Sequence, residues 1–277
     1  MISKSKKKRA SSLIWEAWQN GHALKDFPED IAPSNRFEAY QIQMEYAGLS
    51  SKPIFGWKIA ATSEAGQKHI GVSAPIAGLL LHENTYTSGS KLIFENNRMA
   101  VAEPEFAFSM GTRLQPKQGL YTENEVLEAI DKLHLAIELP NSRFEHFEKV
   151  GENKLIVDNA CAHHFIIGNE VEFNWKETDL AKQKVTISTS RSTKNFGSGA
   201  NVLRHPITAL TWLINELSQN EIPLDNKAVV TTGSCTTPIP IRQGDIVVAD
   251  FGKLGSVSVV IESVSYTHLT LPTNREV

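Results

Sequence analysis

From about residue 84 onward, the chain is patterned as a series of short strands that only two clear helices interrupt. One helix begins at Thr122, where Glu125 completes a capping box, and the other begins near Pro206. A parallel sheet needs a crossover helix after each strand, so this pattern argues against regularly alternating strands and helices. A loop rich in Ser, Thr and Gly is expected at 188–199. The strand candidates are residues 99–108, 133–139, 165–173, 184–190, 228–232, 245–251 and 256–262.

The first third of the chain is predicted to be mainly helical. One helix is expected to start at Ser11 or Ser12 and to end at Gly21. A second helix should follow the capping pair formed by Asn35 and Glu38. Helices in one part and strands in the other predict an α+β fold.

The change of pattern divides the chain into three predicted regions. Residues 1–83, which include a strand at 54–61, should form an N-terminal α+β region. Residues 84–264 should form a β domain. Residues 265–277 show neither strand alternation nor a helical stripe, and we predict a non-native or disordered tail there.

The charge distribution argues against two classes of partner. The chain has 28 basic and 31 acidic residues, a net charge of −3. Five basic residues lie in the first nine positions, so the rest carries 23 basic against 31 acidic residues. An acidic body disfavours binding to nucleic acid or to an anionic membrane. No apolar run approaches the ~20 residues that a membrane-spanning helix needs.

Cysteine usage and the N-terminus predict a cytoplasmic protein. Two cysteines, Cys161 and Cys235, are too few for a disulfide framework and indicate a reducing compartment. The apolar stretch 13–15 is broken at once by Glu16, so the N-terminus does not read as a secretory signal.

Two acids interrupt the apolar segment V-A-E-P-E-F-A-F at 101–108. Strand side chains alternate, so Glu103 and Glu105 point to the same side. Paired acids on a strand more often mark a solvated face. Against that interpretation, the flanks are very apolar, and Pro104 predicts a local edge or bulge of the kind found near functional sites.

A third acid, Glu138, lies in the alternating segment 133–139 and points away from its leucines. If both strands face one cavity, three carboxylates converge, and they cannot share a buried site without a cation. Oxygen ligands select a hard ion such as Mg²⁺ or Mn²⁺. Such an octahedral ion would keep about three open positions, of which two suit a chelating 2-oxo acid.

Lys58 lies inside an otherwise apolar strand, where an unpaired lysine is costly. One interpretation is a surface lysine whose stem is buried and whose ammonium reaches water. The other is a cation that neutralises a substrate carboxylate or enolate, or that moves a proton.

Three further segments contain residues typical of known functional motifs but lack the spacing of those motifs. The segment G-S-G-A at 197–200 has neither the lysine nor the spacing of a phosphate-binding loop. Cys161 near the adjacent His163 and His164 lacks zinc-ligand spacing, which favours a buried thiol and structural imidazoles. Ser234 has no nucleophile-elbow frame around it.

An ordered set of segments resembles the 2-keto-4-pentenoate hydratase / 4-oxalocrotonate decarboxylase family of the fumarylacetoacetase superfamily. The resemblance covers roughly residues 10–262. Its segments are G-W-K at 56–58, V-A-E-P-E-F-A-F at 101–108, A-I-E at 136–138, V-D-N-A at 157–160, G-S-G-A at 197–200, the run from 206 through W-L at 212–213, T-G-S at 232–234 and F-G-K-L-G-S at 251–256.

The resemblance implies a helical N-terminal part followed by a C-terminal mixed β-roll of the fumarylacetoacetase type around a divalent metal. It implies Glu103, Glu105 and Glu138 as ligands of Mg²⁺ or Mn²⁺, and Lys58 as the catalytic lysine. It further implies that Lys58, Asp158 and Ser234 bind a small 2-oxo acid and that the protein is a homo-oligomer.

The chain departs from the family pattern at two positions. Ile76 stands where hydratases carry an acid after the proline of a G-V-x-x-P segment, and Cys161 stands where a serine is common. Both changes leave the metal carboxylates in place, but they affect the expected partners for proton transfer.

The function implied is hydration of a 2-hydroxy-2,4-dienoate to a 4-hydroxy-2-oxo acid by a divalent-metal-dependent lyase, as in meta-cleavage degradation of aromatic compounds. Decarboxylation of a 2-oxo-3-enedioate is the alternative reaction, and hydrolytic carbon–carbon cleavage ranks third. An alternative of another class is a 2-oxo-acid-binding protein without turnover, which Ile76 keeps open.

Overall fold

The computed structural model describes residues 2–94 and 96–262, so the predicted tail at 265–277 lies outside the described residues. The helices of this part are α1 Lys4–Gln19, α2 Arg36–Gln43, α3 Tyr46–Leu49, α4 Glu64–Ile70, α5 Glu123–Ala129, α6 Glu152–Val157 and α7 Pro206–Gln219. The strands are β1 Ile54–Ala60, β2 Ile76–Leu81, β3 Thr85–Thr87, β4 Lys91–Ile93, β5 Val101–Met110, β6 Ile130–Leu139, β7 His164–Glu170, β8 Lys184–Thr189, β9 Lys194–Ser198, β10 Val229–Thr231, β11 Ile239–Pro240, β12 Ile246–Asp250 and β13 Ser256–Glu262.

The capping signals located two of three predicted helix starts. Thr122 and Glu125 form the predicted capping box of α5, and Asn35 caps α2 by accepting from the backbone N–H of Glu38. The predicted start of α1 at Ser11 or Ser12 is wrong, because the helix begins at Lys4, directly after its N-cap Ser3. The Ser3 side chain accepts from Lys6 N, and Ser11 lies buried within the helix.

The larger sheet has the strand order β2-β1-β10-β5-β6-β7-β3, with β11 paired to the start of β5. The pairs β1–β10 and β3–β7 are parallel, and the other pairs are antiparallel, so the sheet is mixed. The predicted boundary between 83 and 84 falls between β2 and β3, which both belong to this sheet. The division into domains stays a prediction.

The smaller sheet has the order β4-β13-β12-β8-β9. The loop predicted at 188–199 is wrong in its second half, because β9 (194–198) pairs with β8 as an antiparallel hairpin. This strand is polar, and its Phe196 side chain is 71% exposed, so it shows no apolar alternation for sequence reasoning to detect.

The two faces of the larger sheet differ in what they bury. One face packs against the main hydrophobic core. The opposite face carries a small apolar cluster of Leu80, Ala107, Ala136, Phe165 and Val229. Since side chains alternate, this second face also carries the acids of β5 and β6. Among the described residues, no helix is long and apolar enough to cross a membrane.

Candidate metal and substrate site

The acids converge because β5 and β6 pair in one register. Glu103 lies directly opposite Glu138, and Glu105 opposite Ala136, so all three acids share one face. Each of them offers an oxygen within 4.8 Å of the oxygens offered by the other two. Glu105 and Glu138 are fully buried, and Glu103 is partly exposed at the rim.

Pro104 lies in the middle of this sheet without breaking it. On one side β5 pairs with β6 through Pro104 itself. On the other side β10 ends at Thr231 and β11 begins at Ile239, so a loop faces Pro104 there. The Pro104 carbonyl accepts from Cys235 N at 2.8 Å. The proline is tolerated because the neighbouring strand is interrupted beside it, which agrees with the predicted local edge.

Lys58 belongs to this carboxylate cluster. Its side chain is buried, which rules out the surface interpretation. The Nζ atom lies 3.1 Å from Glu138 Oε2 and donates to Ala160 O at 3.1 Å. In sheet order β1 and β6 are three strands apart, about 14 Å in a flat sheet. The contact therefore shows that the sheet curls around this face.

Two donors orient Glu105. Its Oε2 atom accepts from Thr231 Oγ1 and, at 3.0 Å, from Gly233 N. The other oxygen, Oε1, and Oε1 of Glu138 are buried without a hydrogen bond from any described residue outside the cluster. Buried carboxylate oxygens need a donor or a cation, so these atoms fit a bound cation.

The electrostatics of the cluster favour added positive charge. Burial and repulsion from Glu138 raise the pKa of Glu103 to about 7, against the attraction of Lys58. Burial and the same repulsion hold the pKa of Glu105 well above its usual range. Burial opposes the charge of Lys58, but the three acids outweigh that effect and raise the pKa of its ammonium. A single ammonium thus leaves the cluster short of positive charge.

The donor set therefore fits a divalent metal ion. Three carboxylates, with no nitrogen or sulfur ligand, provide the hard oxygen donors that such ions prefer. The structure brings together the predicted ligands Glu103, Glu105 and Glu138 with Lys58.

The two further residues expected to bind substrate, Asp158 and Ser234, form hydrogen bonds with other residues of the protein. The fully buried Asp158 accepts from Ser142 Oγ at 2.6 Å and from Arg143 Nε at 2.6 Å. Ser234 is half-buried, and its Oγ donates to Thr236 O at 2.8 Å. Either side chain would have to exchange a partner to reach a substrate, so these two roles stay predictions.

The two departures from the family pattern are both buried. Ile76 begins β2 and adds no titratable group near the cluster. Burial and the negative charge of Asp158 raise the pKa of the Cys161 thiol to about 12, which favours its protonated form. Among the described residues, His163 and His164 belong to no group of three possible metal ligands.

Sequence reasoning missed three residues that shape the site. Thr231 and Arg143 act through long-range contacts that no local pattern announces. Asn159 bonds to Leu79 of β2, with its Oδ1 accepting from the backbone N–H and its Nδ2 donating to the carbonyl. An Asp-Asn pair after a short helix was the one available signal, because both residues favour turns.

Comparison with known proteins gives a consistent group of relatives. No family model matches the sequence. The chain is 26% identical to the TodF product hydratase of Pseudomonas putida F1, over 91% of this chain and 93% of the relative. It is 28% identical to the 2-oxo-hept-4-ene-1,7-dioate hydratase of Escherichia coli, over 84% and 88% respectively.

Solved structures agree with these relatives. The 4-oxalocrotonate decarboxylase from Pseudomonas putida G7, complexed with magnesium and adipate, matches with a TM-score of 0.84 and 26% identity. The match covers 94% of this chain and 99% of that chain. A protein from Oleispira antarctica, described as a fumarylacetoacetate isomerase/hydrolase, matches in fold alone, with a TM-score of 0.56 and 16% identity. The match covers 76% of this chain and 95% of that chain.

The implied fold class, α+β with curled mixed sheets of the fumarylacetoacetase type, is thereby confirmed. The implied group of relatives is confirmed as well, since both hydratases and decarboxylases match over most of their length. The chain is therefore similar, over most of its length, to 2-keto-4-pentenoate hydratases and to 4-oxalocrotonate decarboxylases.

Proposed function

We propose that this protein is a divalent-metal-dependent hydratase that adds water to a 2-hydroxy-2,4-dienoate. The observation that carries the proposal is the buried trio of carboxylates with a buried ammonium beside it. The hydratases among the relatives support the reaction type. Glu103, Glu105 and Glu138 are the proposed metal ligands, and Lys58 is the proposed catalytic residue.

Mg²⁺ or Mn²⁺ is the proposed ion. When bound, it would act as a Lewis acid toward the carboxylate and 2-oxygen of the substrate. Thr231 Oγ1 and Gly233 N hold one oxygen of Glu105, which leaves Oε1 free to face the ion. These donors keep the ligand in one rotamer before the ion arrives.

Lys58 has two tasks in this proposal. Its ammonium attracts the substrate carboxylate, and with its two fixed partners it can direct a further N–H toward the substrate. It can also deliver or accept a proton as the enol becomes a ketone. The small apolar cluster that includes Ala136 and Phe165 lies on the same face of the sheet as the acids.

The proposed reaction balances as the addition of one water. The 2-hydroxyl of the dienol loses its proton, the far end of the diene gains one, and an α,β-unsaturated ketone results. The oxygen of water then bonds to the β-carbon, and its proton goes to the α-carbon. The product is a 4-hydroxy-2-oxo acid.

Decarboxylation of a 2-oxo-3-enedioate is the second candidate. The solved decarboxylase that matches over 94% of this chain favours it. Both reactions place negative charge on the 2-oxygen, so the same cation can serve both. They differ in the substrate, because decarboxylation needs a second carboxylate, which leaves as carbon dioxide.

Two incubations separate these candidates. Purified protein with Mg²⁺ is given 2-hydroxypenta-2,4-dienoate or 4-oxalocrotonate, and dienol absorbance and carbon dioxide are followed. Loss of the dienol without carbon dioxide supports the hydratase. Carbon dioxide from 4-oxalocrotonate supports the decarboxylase. Stabilisation by Mg²⁺ with pyruvate or oxalate, without any turnover, would contradict both and support a binding protein.

The setting of the protein completes the proposal. We place it in the cytoplasm as a homo-oligomer, acting in meta-cleavage degradation of aromatic compounds. The hydratase relatives support the pathway, and the two buried free cysteines fit a reducing compartment. Light scattering of the purified protein tests the oligomer.

A further inference from the structure

A strained turn lies directly behind the carboxylate cluster. In the 158–161 turn (residues 158–161), Asn159, Ala160 and Cys161 have φ angles of 56°, 50° and 59°. This left-handed region is unfavourable for residues with a Cβ atom, and three such residues in succession are rare. A strained segment persists only when surrounding contacts hold it in place.

The first of these contacts is a clamp on β2, an edge strand of the larger sheet. Asn159 Oδ1 accepts from Leu79 N at 2.6 Å, and Asn159 Nδ2 donates to Leu79 O at 2.9 Å. The amide of Asn159 thus occupies the place of a neighbouring strand, and both of its polar atoms are used.

Gly78 allows the turn to approach β2 this closely. A Cβ atom at Gly78 would lie 2.3 Å from Asn159 O and 3.2 Å from the Ala160 side chain. Any larger residue would push the turn away from the strand.

The second set of contacts holds the first residue of the turn and the residues at its end. The buried guanidinium of Arg143 bonds to Asp158 through its carboxylate and its carbonyl, and to Ala162 O at 2.8 Å. Asn141 N also donates to Cys161 O at 2.9 Å. The turn is therefore fixed at both ends, and its middle has little freedom.

The middle of the turn is the part that meets the cluster. Ala160 O accepts from Lys58 Nζ at 3.1 Å, and the same Nζ lies 3.1 Å from Glu138 Oε2. A lysine has a flexible stem, so a single ion pair would leave its ammonium poorly located. The carbonyl supplies the second fixed point.

We propose that the 158–161 turn is a positioning element for Lys58, with Asn159 as the positioning residue that acts through Ala160 O. The proposal rests on the catalytic role given to Lys58 above. Both polar atoms of the Asn159 amide are bonded to Leu79, so in this proposal the residue acts on the reaction only through the lysine.

The chain offers a matched control. Asn215 on α7 makes the same pair of hydrogen bonds to the backbone of one residue. Its Oδ1 accepts from Tyr121 N at 2.7 Å, and its Nδ2 donates to Tyr121 O at 3.0 Å. Neither residue belongs to the site. Asn215→Ala removes an equivalent clamp, so it should lower stability while leaving kcat/KM within about twofold of wild type.

The test is a double-mutant cycle on the kinetic constants. Asn159→Gly suits the left-handed backbone and removes only the amide, and it should lower kcat/KM by about 10- to 100-fold. Its Mg²⁺ affinity should change far less than that of Glu105→Gln. In a Lys58→Met background the same substitution should have little further effect, because the lysine it positions is gone. If Asn159→Gly lowers kcat/KM by the same factor in the Lys58→Met background as in wild type, the proposal is wrong.

A second readout is independent of turnover. In ¹H–¹⁵N spectra of the lysine Nζ groups, Lys58 is identified by the signal missing in Lys58→Met. A buried, bonded ammonium exchanges its protons slowly. The signal should persist in wild type and Asn215→Ala and be lost or shifted in Asn159→Gly; an unchanged signal would overturn the proposal. Asn159→Asp, which keeps one of the two bonds, replaces Asn159→Gly if that variant does not fold.

The two proposals fail in distinguishable ways. If wild-type protein turns over no dienoate while the Nζ signal responds to Asn159→Gly, the hydratase function is wrong and the positioning stands. If the wild type is active and Asn159→Gly keeps both its rate and its signal, the positioning is wrong and the function stands.

Discussion

The site contains two buried ion pairs that differ in how well their atoms are satisfied. Arg143 and Asp158 form a neutral pair in which the carboxylate accepts from Ser142 Oγ and from Arg143 N and Nε. The guanidinium also donates to Asn141 O and Ala162 O. No buried polar atom of this pair lacks a partner among the described residues.

The pair of Lys58 and Glu138 is different. One ammonium faces three carboxylates, and the Oε1 atoms of Glu105 and Glu138 accept no hydrogen bond from a described residue outside the cluster. This shortage of positive charge and of hydrogen-bond donors does not stabilise the fold, because buried unpaired charge raises the free energy of the folded state. A complete network therefore indicates a structural role, and an incomplete one indicates a site that waits for a cation and a substrate.

The largest expected effect is on the incomplete cluster. Glu103→Gln, Glu105→Gln and Glu138→Gln should each weaken Mg²⁺ binding and abolish measurable turnover while the fold is retained, because each keeps the shape and removes one charge. Calorimetric titration and circular dichroism check this. Full activity in excess chelator, or wild-type Mg²⁺ affinity in all three variants, would contradict the metal assignment.

Lys58→Met should give the next largest effect. If the lysine transfers a proton, kcat should fall by a factor on the order of 10²–10⁴. If it only anchors the substrate carboxylate, KM should rise while kcat stays near wild type. Steady-state kinetics separate the two, and a change below about twofold in both constants would end the catalytic assignment.

Removing one partner of the Arg143–Asp158 pair should lower the stability of the fold. Arg143→Met leaves the Asp158 carboxylate buried without its partner, which should lower the free energy of unfolding by about 3–5 kcal/mol. Urea denaturation with and without Mg²⁺ measures this loss. If Arg143→Met unfolds at the wild-type urea concentration, the distinction between the two pairs fails.

A smaller effect is expected from pH in the metal-free protein. Burial and Glu138 raise the pKa of Glu103 from 4.5 to about 7, so the folded state holds a proton that the unfolded state has lost in this range. The contribution of Glu103 to the free energy of unfolding in chelator should therefore fall as pH rises between those values, while the buried His163 and His164, whose pKa burial lowers, contribute in the opposite direction. Excess Mg²⁺ should reverse the trend, because the ion binds only the folded, ionised cluster. Glu103→Gln should flatten the dependence measured by urea denaturation.

The smallest effect concerns the 158–161 turn. Ala160→Gly removes a Cβ atom at a φ of 50°, and it should raise the free energy of unfolding by up to about 1 kcal/mol. Thermal unfolding checks the sign. A clear loss of stability would show that the Ala160 side chain is held by packing that outweighs the backbone strain.

The sequence by itself determined the local relations of this protein. Alternation along a strand is covalent geometry, so Glu103 and Glu105 had to share a face wherever the strand lay. The capping box at Thr122 and Glu125 likewise needs only neighbours in the chain. The resemblance to known sequences added the expected fold and site, because an ordered set of segments carries more than any single motif.

The tertiary structure decided everything that depends on distance through space. Glu138 joins the other acids through the register of β5 with β6, and Lys58 reaches them only because the sheet curls. The left-handed Asn159 is held by Leu79, which lies 80 residues earlier in the chain. No local propensity predicts such contacts, since each is favourable only after the rest of the fold has brought the partners together.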